Sequence, residues 1–127
     1  MQLCTPTGTP FTAFIDTDSD CIVITSEAGN DHAYSLSALR DLYLWLLNER
    51  NGEWVLLGSR GEEDILQAGS VEEWARSENN PFGGFYGITQ RRRGRFSSYV
   101  PSILEKLGFV EVEHNAQNNR VRALPLR

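Results

Sequence analysis

A dense group of arginines in the last third of the chain has the clearest capacity for chemistry. Four lie within five positions of one another: Arg91, Arg92, Arg93 and Arg95. Guanidinium groups bind phosphate oxygens through paired hydrogen bonds, so this group predicts contact with a polyanion. Residues 81–127 hold eight Lys or Arg against three Asp or Glu, whereas residues 1–80 hold four against fourteen. This division predicts one basic end on the molecule, unless the two halves pair within the fold.

An acidic stretch near the N-terminus has part of the pattern of a calcium loop. Positions 1, 3, 5 and 12 of an EF-hand are matched by Asp16, Asp18, Asp20 and Glu27. Position 6, where glycine makes the sharp bend, is Cys21. The flanking residues favour strands over helices, so we interpret the stretch as an acidic hairpin turn.

Catalytic chemistry is not indicated by any residue pattern. The acidic run Glu62–Asp64 has no histidine or lysine nearby, which is typical of a solvated turn. The two histidines, His32 and His114, have no cysteine near them in sequence, and His114 is interpreted as a polar turn residue. We therefore expect a binding protein and not an enzyme, with no metal and no cofactor.

The 127 residues are enough for one domain with its own core, spanning 1–127. No apolar run is long enough for a signal peptide or a membrane span. The two cysteines, Cys4 and Cys21, do not form a disulfide framework. These features predict an intracellular, cytoplasmic protein with reduced thiols and no membrane partner.

The N-terminal third predicts strands and then a helix. Residues 1–10 have no periodicity and are expected to be a loose segment, followed by a β-hairpin over residues 11–25 and a turn over 27–32. Ser35 is a candidate N-cap for a helix over residues 36–49. This helix is apolar around most of its circumference from residue 42 onward, so it is either wrapped by the domain or shared with a second copy. A small domain is not expected to wrap it fully, which predicts a homodimer through this helix.

The middle of the chain predicts a strand over residues 54–57 and a helix over 71–78. Ser70 and Glu73 have the spacing of a capping box at the start of that helix. Residues 79–87, NNPFGGFYG, interleave aromatic residues with glycines. Such rings either stack on unpaired bases or plug the edge of a core, and we favour the plug.

A third helix is predicted to start after Ser98 as N-cap and to run to Leu107, with Pro101 at its third position, in the first turn, where proline is tolerated. Hydroxyl groups at its exposed entrance and the helix N-terminus suit phosphate contact. A hairpin over residues 109–124 follows, joined by an amide-rich turn (Asn115–Asn119). In this hairpin Arg120 and Arg122 either reach the polyanion or pair with glutamates of the opposite strand. The expected nucleic-acid contacts are Arg91, Arg92, Arg93, Arg95, Ser97, Ser98, Tyr99, Ser102, Asn115, Asn118, Asn119 and Arg120.

The segment SSYVPSILEKLGFVEVEHNAQNNRVRAL resembles the C-terminal part of winged helix-turn-helix domains, in which a reading helix ends in a Leu-Gly-Phe step and continues into a wing hairpin. The preceding order of helix, strand and helix is similar to the rest of that fold over about residues 35–125. The resemblance implies an α+β, winged-helix-like domain of three helices with a C-terminal wing and an extra N-terminal hairpin. The connection over about residues 79–96 is longer than the turn usual in that family.

The resemblance and the arginines together predict a small regulatory protein that binds duplex DNA, with a role in transcription regulation. The arginines would contact phosphates, and the third helix and wing would lie near a groove. Whether DNA, RNA or an acidic protein is bound stays open at this point. The alternative is a protein–protein interaction module, or a small inhibitor that docks on a larger assembly through its acidic N-terminal half or apolar first helix.

Overall fold

A computed structural model of the chain describes residues 1–29, 31–58, 67–87 and 95–125. The described residues form two small antiparallel sheets and three α-helices, which confirms the expected α+β class. The elements, in chain order, are β1 Gln2–Cys4, β2 Pro10–Asp16, β3 Cys21–Ser26, β4 Asp31–Ser35, α1 Ser37–Leu44, a π-helical segment Trp45–Glu49, β5 Val55–Leu56, α2 Val71–Arg76, α3 Phe96–Lys106, β6 Val110–Val112 and β7 Arg120–Ala123.

The N-terminal sheet is a meander in the order β1-β2-β3-β4. The predicted hairpin is its central pair, β2 and β3. Alternation along the strands buries one face of this pair, which consists of Phe11, Ala13, Ile22 and Ile24. The acidic turn between the strands is closed by Asp16, whose carboxylate accepts hydrogen bonds from the backbone N–H groups of Asp18 and Ser19.

Two predictions for the N-terminal third are wrong. Residues 1–10 do not form a loose segment, because β1 pairs with β2 and the N-terminal ammonium group donates to the Ala13 carbonyl oxygen at 3.0 Å. The turn predicted for 27–32 ends earlier, because Asp31 and His32 belong to β4. Both strands are short and depend on a neighbouring strand for their hydrogen bonds, so their own residue patterns give a weak signal.

The first helix occupies the predicted region, as α1 followed by the π-helical segment. Leu42, Tyr43 and Leu46 are buried within the domain, whereas Leu44 keeps 42% of its surface exposed. The chain therefore covers most of the apolar circumference itself. The contact area left for a second copy on this helix is centred on Leu44.

A homodimer through this helix remains a prediction, and light scattering on a size-exclusion column tests it. We expect the wild-type protein to have twice the chain mass of 14.3 kDa. The Leu44→Ser variant should have the monomer mass, because the substitution removes the exposed apolar contact. The exposed apolar Phe14→Ser, outside this helix, is the matched control and leaves the mass unchanged. A wild-type species of 14.3 kDa at high concentration contradicts the dimer.

The second sheet joins β5 to the C-terminal hairpin in the order β5-β7-β6. The predicted alternation of the hairpin is confirmed, with Val110 opposite Ala123 and Val112 opposite Val121 on the buried side. The predicted cap of α2 is also present, since the Ser70 hydroxyl accepts a hydrogen bond from the Glu73 N–H at 3.2 Å. These elements follow local sequence signals closely.

The third helix begins earlier than predicted. It starts at Phe96, so Ser98 is not its N-cap and Pro101 is its sixth residue and not its third. The Arg95 N-cap position has a left-handed backbone, and its side chain makes no capping hydrogen bond. The capping group comes from another helix instead: the Glu72 carboxylate of α2 accepts hydrogen bonds from the N–H and the hydroxyl of Ser97, at 3.1 and 3.0 Å.

The N-terminal sheet packs over α3. The Tyr99 ring lies 5.0 Å from that of Phe11 in β2 and 5.2 Å from that of His32 in β4. On its other sides α3 packs against α1, α2 and β6. Eight of its eleven residues are buried, so α3 is a core helix whose ends reach the surface.

The aromatic–glycine loop is organised by Asn80. The Asn80 side chain is buried; its amide donates to the carbonyl oxygens of Trp74 and Gly84, and its oxygen accepts from the N–H groups of Phe82 and Gly83. Tyr86 is fully buried behind this loop, as the plug interpretation expects, whereas Phe82 is exposed and stacks on Tyr86.

Replacing Glu72 with alanine is expected to lower the free energy of unfolding by about 3 kcal/mol, because it removes a buried carboxylate that pairs with Arg76 and accepts two hydrogen bonds from Ser97. Urea denaturation measures the change. The exposed Glu78→Ala on the loop after α2 is the control and should change the free energy by less than about 0.5 kcal/mol. Equal stabilities of the two variants would contradict the role given to Glu72.

Candidate nucleic-acid interface

A polar depression of about 400 Å³ lies at the N-terminal end of α3, and we call it the entrance pocket. Residues from several parts of the chain converge on it, chiefly the β1–β2 turn, the end of β5, the start of α3 and the C-terminal hairpin turn. Its described lining consists of Thr5, Pro6, Thr7, Thr9, Leu56, Leu57, Gly58, Gln67, Arg95, Ser98, Tyr99, Gln117, Asn118 and Asn119.

The entrance pocket brings together several of the residues predicted as nucleic-acid contacts. Arg95 and Ser98 come from the start of α3, and Asn118 and Asn119 come from the hairpin turn. The side chains of Arg95 and Asn118 are exposed there. Arg91, Arg92 and Arg93 lie outside the described residues.

Three of the hydroxyl residues predicted at an exposed entrance are placed differently. Ser97 and Ser102 are buried inside α3, and Tyr99 is buried under the N-terminal sheet, although its side chain reaches the pocket lining. The prediction failed because it started the helix three residues late and did not foresee the sheet that covers it. The first turn of α3 is capped by Glu72, so its Ser97 N–H is not available to a phosphate.

The hairpin turn is held by Asn119. Its buried side chain accepts a hydrogen bond from the Asn115 N–H and donates one to the Asn115 carbonyl oxygen. Asn118 has a left-handed backbone with φ of 58°, which asparagine tolerates better than most residues. Asn119 thus shapes the turn, while Asn115 and Asn118 are exposed on it.

Arg120 has a partner within the hairpin. Its guanidinium makes two hydrogen bonds of 2.9 Å to the Glu113 carboxylate. Arg122 pairs with Glu111 across the strands through one nitrogen, which lies 3.3 and 3.2 Å from the two carboxylate oxygens. Both guanidinium groups also lie over the Trp54 ring, at 5.4 and 4.7 Å. The hydrogen bonds from Arg120 hold the pKa of Glu113 below its usual value. The pairing interpretation is confirmed, and a phosphate would have to displace Glu113 to reach Arg120.

The β1–β2 turn was missed as part of the site, because no local signal placed it beside α3. His114 holds it there: its Nδ1 donates to the Pro6 carbonyl oxygen at 3.1 Å, and its Nε2 lies 2.7 Å from the Glu105 carboxylate of α3. Only the imidazolium form can donate both hydrogen bonds, and the Glu105 carboxylate raises the pKa of His114 accordingly. His114, which we expected to be a polar turn residue, therefore links three segments: the β1–β2 turn, α3 and the C-terminal hairpin. We call this set of contacts the His114 clasp.

The charge of the entrance pocket differs from that of the chain as a whole. The protein carries a formal net charge of −5, yet the fourteen described lining residues include one arginine and no Asp or Glu. Hydroxyl and carboxamide groups make up most of the remaining polar lining. The hydroxyl, carboxamide and guanidinium groups of this lining can donate hydrogen bonds to an anion.

No group of three His, Cys, Asp or Glu side chains within the described ranges is arranged to hold a metal ion. No helix among these residues is long and apolar enough to cross a bilayer. Of the two free cysteines, Cys4 is exposed and Cys21 is buried.

A family model matches residues 1–124, which is nearly the whole chain. The chain belongs to the DUF6855 family, described as a family of unknown function. No curated protein and no solved structure gave a significant match. The family match spans both sheets and all three helices, so the N-terminal sheet is part of the DUF6855 domain.

The His114 clasp predicts a pH-dependent stability. Because its pKa is raised in the folded protein, its contribution is fully present below the unfolded pKa of about 6.5 and is lost as the pH rises through the folded pKa. Half of the side chain is exposed, so the contribution is at most about 1 kcal/mol.

Urea denaturation of the wild type and His114→Gln at several pH values between about 5.5 and 8.5 checks this prediction. The difference in unfolding free energy between the two proteins should shrink as the pH rises. Asn115→Gln, on the exposed hairpin turn next to the clasp, is the control and should keep the wild-type pH dependence. A difference between wild type and His114→Gln that does not vary with pH contradicts the clasp.

Proposed function

We propose that the entrance pocket of this protein binds the phosphate backbone of duplex DNA. The observation that carries the proposal is the convergence of Arg95, Ser98 and the hairpin turn on a depression with no described carboxylate in its lining. Only Gly94 separates the arginine run 91–93 from Arg95 in sequence, so four guanidinium groups belong to one short segment. Phosphate neutralisation by such groups supplies most of the affinity in non-specific DNA binding.

The winged-helix resemblance is part of this proposal. In support of it, the elements follow one another in the expected order, which is α1, β5, α2, α3 and the C-terminal hairpin. In addition, β5 joins the sheet of the hairpin. The docking mode differs from the one first expected, because the N-terminal sheet covers the face of α3. We propose that DNA meets the entrance of α3, the β1–β2 turn and the hairpin turn, and that α3 does not lie in a groove. The proposed setting is the cytoplasm.

Fluorescence anisotropy with a labelled duplex over a salt series tests the proposal. For the wild type, the logarithm of the affinity should fall linearly with the logarithm of the salt concentration, by about 0.9 for each phosphate contact. Arg95→Gln should weaken binding and reduce the slope by about one contact, and the triple alanine variant of residues 91–93 should reduce it further. Lys106→Gln, at the opposite end of α3, removes the same charge as Arg95→Gln and should leave the slope unchanged. The proposal would be overturned by an affinity that does not change with the salt concentration, or by arginine variants that bind DNA as tightly as the wild type.

A second candidate function is docking on a partner protein through α1. The exposed side chains of Leu44 and Phe82 favour it, because the buried centre of a protein–protein interface is apolar. Capture of a stable protein partner in nuclease-treated extract, lost in Leu44→Ser, distinguishes this function from DNA binding. Unchanged capture by Leu44→Ser would remove α1 as the docking site.

A further inference from the structure

A second cavity, of about 440 Å³, lies beside α1 and the π-helical segment, and we call it the tryptophan cleft. It shares no described lining residue with the entrance pocket. Its described lining consists of Asp41, Leu44, Trp45, Asn48, Glu49, Trp74, Asn79 and Pro81. A volume of this size suits a small ligand or one inserted side chain.

The chemistry of the tryptophan cleft is opposite to that of the entrance pocket. Its described lining contains two carboxylates, two carboxamides and two indoles, and no lysine or arginine. Three of these residues, Trp45, Asn48 and Glu49, belong to the π-helical segment. Short π-helical segments recur at functional sites because they redirect side chains away from the regular helical positions.

Asp41 is the buried anion of the cleft. Its side chain is only 6% exposed, and one of its oxygens accepts a hydrogen bond from the fully buried Tyr86 hydroxyl at 3.0 Å. The other oxygen accepts from the Arg40 guanidinium at 3.3 Å, and the Arg40 side chain is 73% exposed. A carboxylate has about four acceptor positions, and these two contacts fill two of them.

The position of Arg40 bears on what the cleft can bind. A buried carboxylate is stable when a cation compensates its charge, and an exposed side chain held at 3.3 Å is easily exchanged. A cation that enters the cleft would therefore add to or replace Arg40 without opening the core. Glu49, which is exposed at the rim, supplies a second negative charge.

The two indoles that line the cleft, Trp45 and Trp74, also favour a cation as the ligand. Trp45 and Trp74 stack with their ring centres 5.0 Å apart, and the Arg50 guanidinium lies 5.4 Å over the Trp45 ring. One indole of the cleft thus already contacts a guanidinium group within the protein. Indole rings attract guanidinium and ammonium groups through the negative face of the ring.

We propose that the tryptophan cleft binds an organic cation with a guanidinium or alkylammonium group, whose charge pairs with Asp41 and Glu49 while its flat or alkyl part lies against the indoles. The chemistry is the same for a free small molecule and for an arginine side chain of a partner protein. The site is independent of the entrance pocket and does not rest on DNA binding.

Calorimetric titration in about 150 mM salt, where long-range attraction is screened, tests the proposal with N-acetyl-arginine amide and its neutral isostere N-acetyl-citrulline amide. Saturable one-to-one binding of the arginine compound, with at least tenfold weaker binding of the citrulline compound, is the expected result. Agmatine and a capped five-residue peptide with a central arginine distinguish the two sources. A peptide that binds tenfold tighter than agmatine assigns the cleft to a protein partner, and the reverse assigns it to a small molecule.

Variants locate the binding. Asp41→Asn keeps an acceptor for Tyr86 and should weaken binding of the arginine compound at least tenfold, and Glu49→Gln should weaken it less. Glu53→Gln removes the same charge at an exposed position outside the cleft and should have no effect. If Asp41→Asn does not fold, Glu49→Gln decides the question, because its side chain is at the surface. Absence of saturable binding up to about 10 mM, equal binding of the citrulline compound, or equal effects of Glu49→Gln and Glu53→Gln would overturn the proposal.

Discussion

The buried carboxylate of Glu72 joins α2 to the start of α3. It is fully buried, and its two oxygens accept hydrogen bonds from Ser97 at the start of α3 and from the Arg76 guanidinium at 3.1 Å. Burial raises the pKa of Glu72, while the contacts with Ser97 and Arg76 oppose that shift by favouring the ionised form. An anion in this position is stable only when all of these donors are in place, so α2 and the first turn of α3 depend on one another.

The placement of the candidate site follows from this contact. Because Glu72 caps α3, the helix begins at Phe96, and Arg95 and Ser98 lie at its entrance beside the hairpin turn. The N-terminal sheet then covers the face of α3 through Tyr99, and the His114 clasp links the β1–β2 turn to Glu105, near the C-terminal end of α3. The polar side chains of α3 that reach the surface therefore lie near its two ends, whereas its middle is part of the core. The acidic tryptophan cleft is built separately, from the π-helical segment and α2.

The sequence predicted the features that depend on neighbouring residues. The Ser70 cap, the alternation of the C-terminal hairpin and the pairing of Arg120 with Glu113 all arise from residues close in the chain or opposite in a hairpin. Features that depend on distant residues were missed: Glu72 and Ser97 are 25 residues apart, and His114 and Pro6 are 108 apart. The same reason explains the missed strands β1 and β4, and the failure to foresee that α3 is covered. Five of the predicted contacts converge on the entrance pocket because the hairpin follows α3 directly: Arg95, Ser98, Tyr99, Asn118 and Asn119.

Hydrogen exchange of the Ser97 amide tests the central claim most directly. Amides in the first turn of a helix have no partner within that helix and normally exchange fast, through local opening. If Glu72 accepts the Ser97 N–H as the distance of 3.1 Å indicates, this amide should exchange only when the whole domain unfolds, as slowly as the amides in the middle of α3. A Ser97 amide that exchanges as fast as those of the exposed hairpin turn would contradict the claim that Glu72 caps and positions α3.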